Sequence, residues 1–308
     1  WIDRKCLPET PLTPHAGLLP AGFSAEHLGP NDYYFWDDFW SVAGLRAVAA
    51  LLEDSDADAA AHCRHDAQRL DSAIERSLAS CEQRLGRPAM PAAPYRRLDA
   101  GAIGSIVAGY PLQLQAAGDA RLLDCVDYLL EQCFVDGAFF QDMIHSGQNA
   151  YLTLAVAQVL LRAGDSRYLA LMDAVARLAS DTGQWPEAIH PQTGGGCMGD
   201  GHHVWAAAEW ALMLRSCFLR EEGEDLVLVS GIPARWLESG EVLAFGPAPT
   251  MFGRVSVRLE SAAGGRFALT WWADWHAATP RITAALPGYR SVETGPGYIL
   301  LENTADGG

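Results

Sequence analysis

The sequence has little positive charge, and this limits what the protein can bind. Its 308 residues include 22 Lys and Arg against 38 Asp and Glu, which gives a formal net charge of -16. A nucleic-acid partner normally requires clustered Lys and Arg, so this balance disfavours a phosphate backbone as ligand. A neutral or weakly cationic ligand fits the composition better.

Long apolar runs are also missing. No stretch approaches the roughly 20 apolar residues that a membrane span requires, and no signal peptide opens the sequence. The first residue is Trp1 rather than Met, in a segment typical of a loop from the middle of a protein. We therefore expect no membrane partner and favour a cytoplasmic location, with the native N-terminus lying upstream.

Paired cysteine spacings are absent as well. The seven cysteines are scattered, odd in number and without a CxxC pair of the kind that binds metal. We interpret most of them as reduced core residues. The sequence also lacks a nucleotide-binding fingerprint and an EF-hand spacing of acids, so we expect neither a cofactor nor a metal.

Apolar residues, at 49% of the chain, are present in a helical pattern. Between Cys63 and Leu85 they recur every three or four residues, which predicts an amphipathic helix. Other segments are apolar nearly all round, which is typical of helices buried on several sides; these are 40–52, 150–161 and 204–219. In all we predict seven helices, at 37–54, 56–85, 100–117, 120–133, 145–163, 166–180 and 203–222.

The connections between these helices fall into two classes. The tight turns at 117–121 and 163–167 share an Ala-Gly-Asp sequence, which indicates a repeat of helical hairpins. The longer connections alternate with tight turns and should therefore gather at one face, where a site is expected. They are 13–36, 86–99, 134–144 and 181–202.

After Glu224 short runs of strand character replace the helices. They are 226–229, 255–259, 267–272 and 298–301, separated by Gly and Pro. We therefore predict a mainly α fold, a toroid of helical hairpins, followed by a small antiparallel β module resembling a sandwich. The predicted domains are 1–223 and 224–308.

The densest functional signal is the segment Asp32–Trp40, where aromatic residues surround three acids at a predicted helix start. Apolar surroundings raise a carboxyl pKa, which a general acid near neutral pH requires. An alternative is that Asp37 or Asp38 only caps the helix. Two adjacent acids cannot both be caps, so they could divide the work, one catalytic and one holding a hydroxyl of the ligand, for which the aromatic residues suggest a sugar.

A second signal surrounds Glu187, which lies between Trp185 and a glycine-rich loop at 194–201. A carboxylate in that position could activate a water molecule. A loop glutamate is also commonly a solvated surface charge. Asp200, in the same loop, is a rival for the role of base.

Both segments resemble the six-hairpin (α/α) barrel glycosidases, a group that includes processing α-glucosidases, trehalases, glucoamylases and glycogen-debranching glucosidases. Tyr34–Trp40 is similar to the segment that carries their general acid. Glu187, followed by the Pro-Gln-Thr-Gly turn at 191–194 and the Trp-Ala-Ala helix at 205–207, is similar to the segment that carries their base. The similarity covers roughly residues 15–260.

The resemblance implies an inverting glycoside hydrolase, by analogy α-glucosidic, with Asp37 as general acid and Glu187 as general base. It also implies that about five barrel helices precede this chain, so that the missing N-terminal part is itself a partner. Other predicted sugar contacts, besides Asp38, are Tyr34, Trp36, Trp40, Gln141, Asp142, His145, Trp185, Asp200, His203 and Trp205.

Three other interpretations stay open at this point. The first is a noncatalytic carbohydrate-binding or scaffold protein. The second is a polysaccharide lyase on a similar toroid, although the acidic composition disfavours anionic sugars. It would use Tyr34, His145 and His203. The third is a zinc protein with ligands from one loop. These would be Cys197, Asp200, His202 and His203.

Overall fold

The computed structural model of the chain describes residues 1–24, 30–142, 147–276 and 278–304. The chain divides into two compact units. The first comprises Trp1–Ala163 and Ala170–Ala207, and the second comprises Gly164–Leu169 and Ala208–Gly308. The predicted domain boundary after residue 223 stays a prediction.

The first unit begins with a one-turn helix, α1 (Ile2–Lys5), and a hairpin of two long helices, α2 (Phe35–Leu52) and α3 (Ala57–Leu85). Asp56 caps α3 by accepting a hydrogen bond from the Ala59 amide at 3.0 Å. Gly86 ends this helix in the left-handed conformation, at φ 68°, which glycine adopts without strain. Both predicted helices are thus confirmed to within two residues at each end.

The amphipathic stripe of α3 faces the core as predicted. Leu70, Ile74, Leu78 and Cys81 are all buried. The prediction that α2 is buried on several sides was wrong. Its outer face exposes Val48 and Leu51, the latter at 80%, because the chain packs against only part of an apolar helix.

Three further helices were predicted near their observed places. They are α4 (Ala120–Gln132), α5 (Ala150–Arg162) and α6 (Tyr168–Leu178). Asp119 caps α4 by accepting hydrogen bonds from two amides. α5 is buried at nearly every position, as its composition predicted.

The predicted helix at 100–117 was wrong in type and length. A short 3-10 helix occupies Ala100–Ala108, and the chain then turns through Gly109 and Pro111. The three glycines at 101, 104 and 109 disfavour a regular α-helix, and Pro111 cannot continue one.

A small antiparallel sheet joins two of the long connections. Its strands are β1 (Phe134–Val135), β2 (Ala138–Gln141), β3 (Gly147–Gln148), β4 (Ala188–Ile189) and β5 (Gly196–Met198), hydrogen-bonded in that order. The pairing of Gln148 with Ile189 links the segment after α4 to the segment after α6. We refer to these five strands as the connection sheet.

α7 (Val204–Phe218) leads into the second unit, and the prediction of helix to 222 was wrong. Residues Leu219–Glu222 form β6, which pairs with β7 (Asp225–Leu228) across Gly223 at φ 59°. Like α2, α7 was predicted to be buried on several sides but exposes Val204, Trp205 and Leu212.

The rest of the second unit is a β module with one short helix, α8 (Ala234–Glu238). Five antiparallel strands form a sheet in the order β12-β13-β10-β9-β8, and β11 pairs parallel with β7 beside β6. The strand bounds are β8 Leu243–Thr250, β9 Gly253–Ala262, β10 Arg266–Trp275, β11 Arg281–Ala284, β12 Tyr289–Gly295 and β13 Tyr298–Asn303. The predicted succession of helices followed by strands is confirmed.

All seven cysteines are free thiols, but only Cys81, Cys125 and Cys217 are buried. The prediction of core cysteines therefore holds for fewer than half of them, and Cys197 is exposed. Within the described ranges, the helices are too short or too polar to cross a membrane.

Candidate active site

Asp37 lies in the first turn of α2, on the side of the helix that faces a cleft. The cleft has a volume of about 540 Å³ and a mostly apolar lining. Besides Asp37, its lining residues are Trp1, Ile2, Leu19, Pro20, Ala21, Gly22, Phe23, Trp40, Ser41 and Gly44. Because burial desolvates the carboxylate, the pKa of Asp37 is raised to about 6. A carboxyl with this pKa can hold a proton near neutral pH.

Two tryptophans flank Asp37 on the same helix. The rings of Trp36 and Trp40 lie 5.8 Å apart, as expected for residues four positions apart on a helix. Trp40 is 42% exposed and lines the cleft beside Asp37. Its ring is thus accessible to a ligand that approaches the acid.

Asp38 differs from its neighbour because it points away from solvent. It is fully buried, and its Oδ1 accepts a hydrogen bond of 3.0 Å from the Leu19 amide. Burial raises the pKa of this carboxyl to about 8. Leu19 lines the cleft, so its hydrogen bond to Asp38 fixes this part of the cleft lining to α2.

Glu187 is positioned by the backbone of its loop. The Asn149 side chain donates to the Glu187 carbonyl at 3.0 Å, and the Glu187 amide donates to the carbonyl of Asp200 at 3.3 Å. Gly199, at φ 66°, packs directly against the Glu187 side chain, where a Cβ would overlap the carboxylate. Glu187 therefore lies directly before β4 of the connection sheet, with its backbone amide and carbonyl both hydrogen-bonded.

Aromatic rings lie close to the end of this loop. Tyr151 of α5 contacts His203 and Trp205, with ring centroids 4.8 and 4.7 Å apart. The His203 amide donates to the Trp185 carbonyl at 2.9 Å, which closes the loop on itself. His203, Trp205 and Glu187 are thus held by one local framework.

Several predicted sugar contacts are buried instead of lining a surface. Trp185 donates its indole N–H to the Val175 carbonyl at 2.9 Å, and Gln141 lies within β2. The Tyr34 hydroxyl donates to the Pro30 carbonyl at 2.7 Å. Tyr34, Gln141 and Trp185 are each buried, which disfavours direct sugar contact by their side chains.

Asp142 and Asp200 are both exposed. Asp142 directly follows β2, and Asp200 lies two residues after β5. The Asp200 carboxylate accepts a hydrogen bond from the His202 amide at 3.2 Å, so it caps a turn. The predicted contact His145 lies outside the described residues.

The zinc and lyase interpretations lose support from this geometry. Among the described residues, Cys197, Asp200, His202 and His203 do not bring three ligand atoms together. Tyr34 is one of the three residues of the lyase interpretation, and burial raises the pKa of its hydroxyl. A higher pKa makes this tyrosine a poorer source of phenolate.

Some residues of the site carried no clear signal in the sequence. Leu19 binds Asp38 through its backbone amide, which any residue could supply. Asn149 acts through its side chain from the start of α5. Gly199 could have been recognised from the Gly-Asp-Gly sequence at 199–201, which is typical of a turn needing positive φ.

An aromatic group of His15, Tyr33 and Tyr95 was also missed. His15 stacks on Tyr33 with ring centroids 4.3 Å apart, and its Nδ1 lies 2.6 Å from the Tyr95 hydroxyl. These residues come from two of the long connections. The group therefore confirms that connections 13–36 and 86–99 meet at one place.

Comparison with known proteins gives structural neighbours. No protein-family model matches the sequence, and no curated protein matches it. A glycosidase variant is similar over 64% of this chain and 55% of its own, at 16% identity and a TM-score of 0.49. A bacterial glucoamylase complexed with acarbose is similar over 61% and 34%, at 15% identity and a TM-score of 0.47.

A glycosidase variant in complex with glucose is similar over 61% of this chain and 52% of its own, at 16% identity and a TM-score of 0.46. The chain thus spans between about a third and just over half of the length of these neighbours. Similarities with TM-scores below 0.5 and identities of 15–16% assign this chain neither a substrate nor residue roles.

Proposed function

We propose that this chain carries the acid and base of an inverting glycoside hydrolase, with Asp37 as general acid and Glu187 as general base. The observation that supports this most directly is the half-buried Asp37 carboxyl in a cleft beside Trp40, with its pKa raised to about 6. A general acid must hold its proton at the working pH and have access to a ligand. Asp37 meets both conditions.

The proposed reaction uses two carboxyl groups on opposite sides of a sugar ring. Asp37 protonates the glycosidic oxygen as the bond to the anomeric carbon breaks. Glu187 removes a proton from the water that attacks this carbon from the other side, so its configuration inverts. Proton exchange with solvent then returns both carboxyl groups to their starting states.

The nature of the cleft supports a neutral sugar as substrate. Of the two proposed catalytic carboxyls, Asp37 lines this cleft and Glu187 does not; the other lining side chains carry no ionisable group and include the aromatic rings of Trp1, Phe23 and Trp40. Aromatic faces bind the apolar faces of sugar rings, and such a lining offers no cation for an anionic sugar. An α-glucoside is the substrate class that we propose by resemblance.

The exposed apolar face of α2 supports the proposed partner. Val48 and Leu51 project from a helix whose composition is that of a buried one. Contiguous exposed apolar residues mark a contact surface. We propose that barrel helices outside this chain cover this face, so that full activity belongs to the longer protein.

The test is hydrolysis of a panel of α-linked glucosides, with the anomeric configuration of the first product followed by proton NMR. We expect inversion, and a fall in kcat of about 10²–10⁴ for both Asp37→Asn and Glu187→Gln. Asp181→Asn, at an exposed aspartate to which no role is assigned, is the matched control. Retention of configuration, or full activity in either variant, would contradict the proposed pair.

A noncatalytic carbohydrate-binding protein is the second candidate. The exposed rings of Trp40 and Trp205 could bind a sugar even if Asp37 and Glu187 catalyse no reaction. It predicts sugar binding that Asp37→Asn leaves unchanged, with no turnover even when the upstream helices are supplied.

A further inference from the structure

A second group of ionisable side chains lies apart from Asp37 and Glu187. Asp3 of α1 meets His62 and Asp66 of α3, and one nitrogen or oxygen atom from each lies within 4.8 Å of the other two. His62 and Asp66 are four positions apart, so they share one face of the helix. Their Nε2 and Oδ2 atoms are 3.3 Å apart.

Asp66 is the informative member of this group. It is 7% exposed, and its buried Oδ1 accepts no hydrogen bond from the described residues. Asp3 and Asp66 line a cavity of about 10 Å³, roughly the volume of one water-sized sphere, together with Glu9 and Arg69; His62 lies outside this lining, on the Oδ2 side of Asp66. A buried carboxylate oxygen without a hydrogen bond is costly. A positive ligand of single-atom size would remove that cost.

Arg69 is the cation nearest to these carboxylates. Its Nη1 donates to Asp3 Oδ1 at 2.9 Å and lies 3.7 Å from Asp66 Oδ1. Its Nε is 3.8 Å from Glu9, so the guanidinium has another carboxylate within reach. Arg69 therefore competes with any cation that binds Asp3 and Asp66, and it can turn toward Glu9 when one does.

We propose that Asp3, His62 and Asp66 bind one divalent transition-metal ion of the Zn²⁺ class. Imidazole nitrogen and carboxylate oxygen are both zinc ligands, with bonds of about 2.0–2.2 Å. A tetrahedral shell with such bonds holds its ligand atoms roughly 3.3–3.6 Å apart. The His62–Asp66 pair has this separation already, and Asp3 completes the set by a shift of about an ångström in an N-terminal one-turn helix.

The proposed ion would fasten the start of the chain to α3. Trp1 and Ile2, next to Asp3, line the cleft that holds Asp37. Binding at Asp3 thus orders one wall of that cleft, whether or not the cleft is catalytic. The metal proposal does not depend on the glycosidase proposal.

The test is a titration of the full, metal-stripped 308-residue chain with Co²⁺, followed by visible absorption, with Zn²⁺ as competitor in calorimetry. We expect one equivalent to bind, His62→Ala to weaken binding at least about tenfold, and Asp3→Asn to weaken it as well. His65→Ala is the matched control, since His65 is an exposed histidine on the same helix. It should leave the affinity unchanged.

Arg69→Gln is the one variant for which the proposal predicts tighter metal binding. Removing the competing guanidinium should tighten Co²⁺ binding, which a purely structural role for Arg69 would not do. Arg64→Gln, at an exposed arginine of α3 paired with Glu53 instead, should have no effect. Circular dichroism of the metal-free variants checks that each one folds.

Three results would overturn the proposal. They are the absence of a saturable equivalent, equal losses in His62→Ala and His65→Ala, and weaker binding in a folded Arg69→Gln variant.

Discussion

The two candidate catalytic carboxylates have opposite surroundings. Asp37 is in the first turn of a helix, in an apolar cleft, where loss of water raises its pKa to about 6. Glu187 is in a loop whose backbone is held by Asn149 and Asp200 and whose side chain packs against Gly199. The proposed acid thus depends on desolvation, and the proposed base on backbone geometry. Substitutions that affect one feature should leave the other intact.

The largest effect should come from Asp37→Asn and Glu187→Gln, the substitutions at the proposed acid and base. If desolvation prepares the acid, kcat/KM should also decline above about pH 6, as Asp37 loses its proton. A pH profile of the hydrolysis rate measures this limb. In Asp37→Glu the alkaline decline of the rate should remain but shift with the pKa of the new carboxyl. Such a shift would assign the decline to residue 37.

Gly199→Ala should have the next largest effect, on the base alone. The added Cβ would overlap the Glu187 carboxylate, and alanine is strained at φ 66°. Misplacing a reacting group by about 1 Å costs on the order of 100-fold in kcat. Gly201→Ala, two residues further on, is the control, because no atom lies within 4 Å of the position that its Cβ would take. Equal rates in the two variants would contradict a positional role for Gly199.

Asp38→Asn should change the stability of the fold in a pH-dependent way, because the Asp38 carboxyl is fully buried. The pKa of Asp38 is about 8 when folded and near its ordinary value of 3.8 when unfolded, so the unfolded chain releases its proton first. Asp38 therefore costs nothing below about pH 4, and destabilises the fold increasingly as the pH rises toward 8. Asparagine removes this cost, on the order of a few kcal/mol, and keeps an oxygen for the Leu19 amide.

We thus expect the Asp38→Asn variant to unfold at a higher denaturant concentration than the parent at pH 8, and at a similar one at pH 4. Asp142→Asn, at an exposed position, should show no such difference. A lower midpoint at pH 8 would mean that Asp38 is ionised and paired in the folded chain.

The smallest effect should be that of Trp40→Ala, which removes an exposed ring from the cleft without touching a carboxyl. Loss of one aromatic contact to a sugar is worth about 1 kcal/mol, or several-fold in KM with kcat little changed. Trp272→Ala, at an exposed tryptophan of β10, is the control. Equal changes in KM for both variants would remove Trp40 from the binding surface.

Periodicity predicted the helices well because an apolar stripe such as that of α3 extends over many turns. It failed at 100–108, where glycines permit a 3-10 helix that has no long stripe. The connection sheet escaped prediction because strands of two to four residues are too short to show alternation. Its pairing depends on contacts between segments about 40 residues apart, such as Gln148 with Ile189.

The sequence predicted which residue types form the candidate site, but not which of their side chains are buried and which face the cleft. The sequence places Asp37 and Asp38 side by side, whereas the helix turns them about 100° apart, one toward the cleft and one into the core. Similarly, Trp185 looks like a sugar platform beside Glu187, but its indole bonds to Val175. Which side of an element faces the solvent depends on neighbours that are distant in sequence.

The connection sheet has a consequence for how sequences of this fold can diverge. Gly147 lies so close to Ala188 and Cys197 that a Cβ there would approach each within 3 Å, so a larger residue in one segment requires a compensating change in the other. Gly147 and the residues facing it should therefore change together.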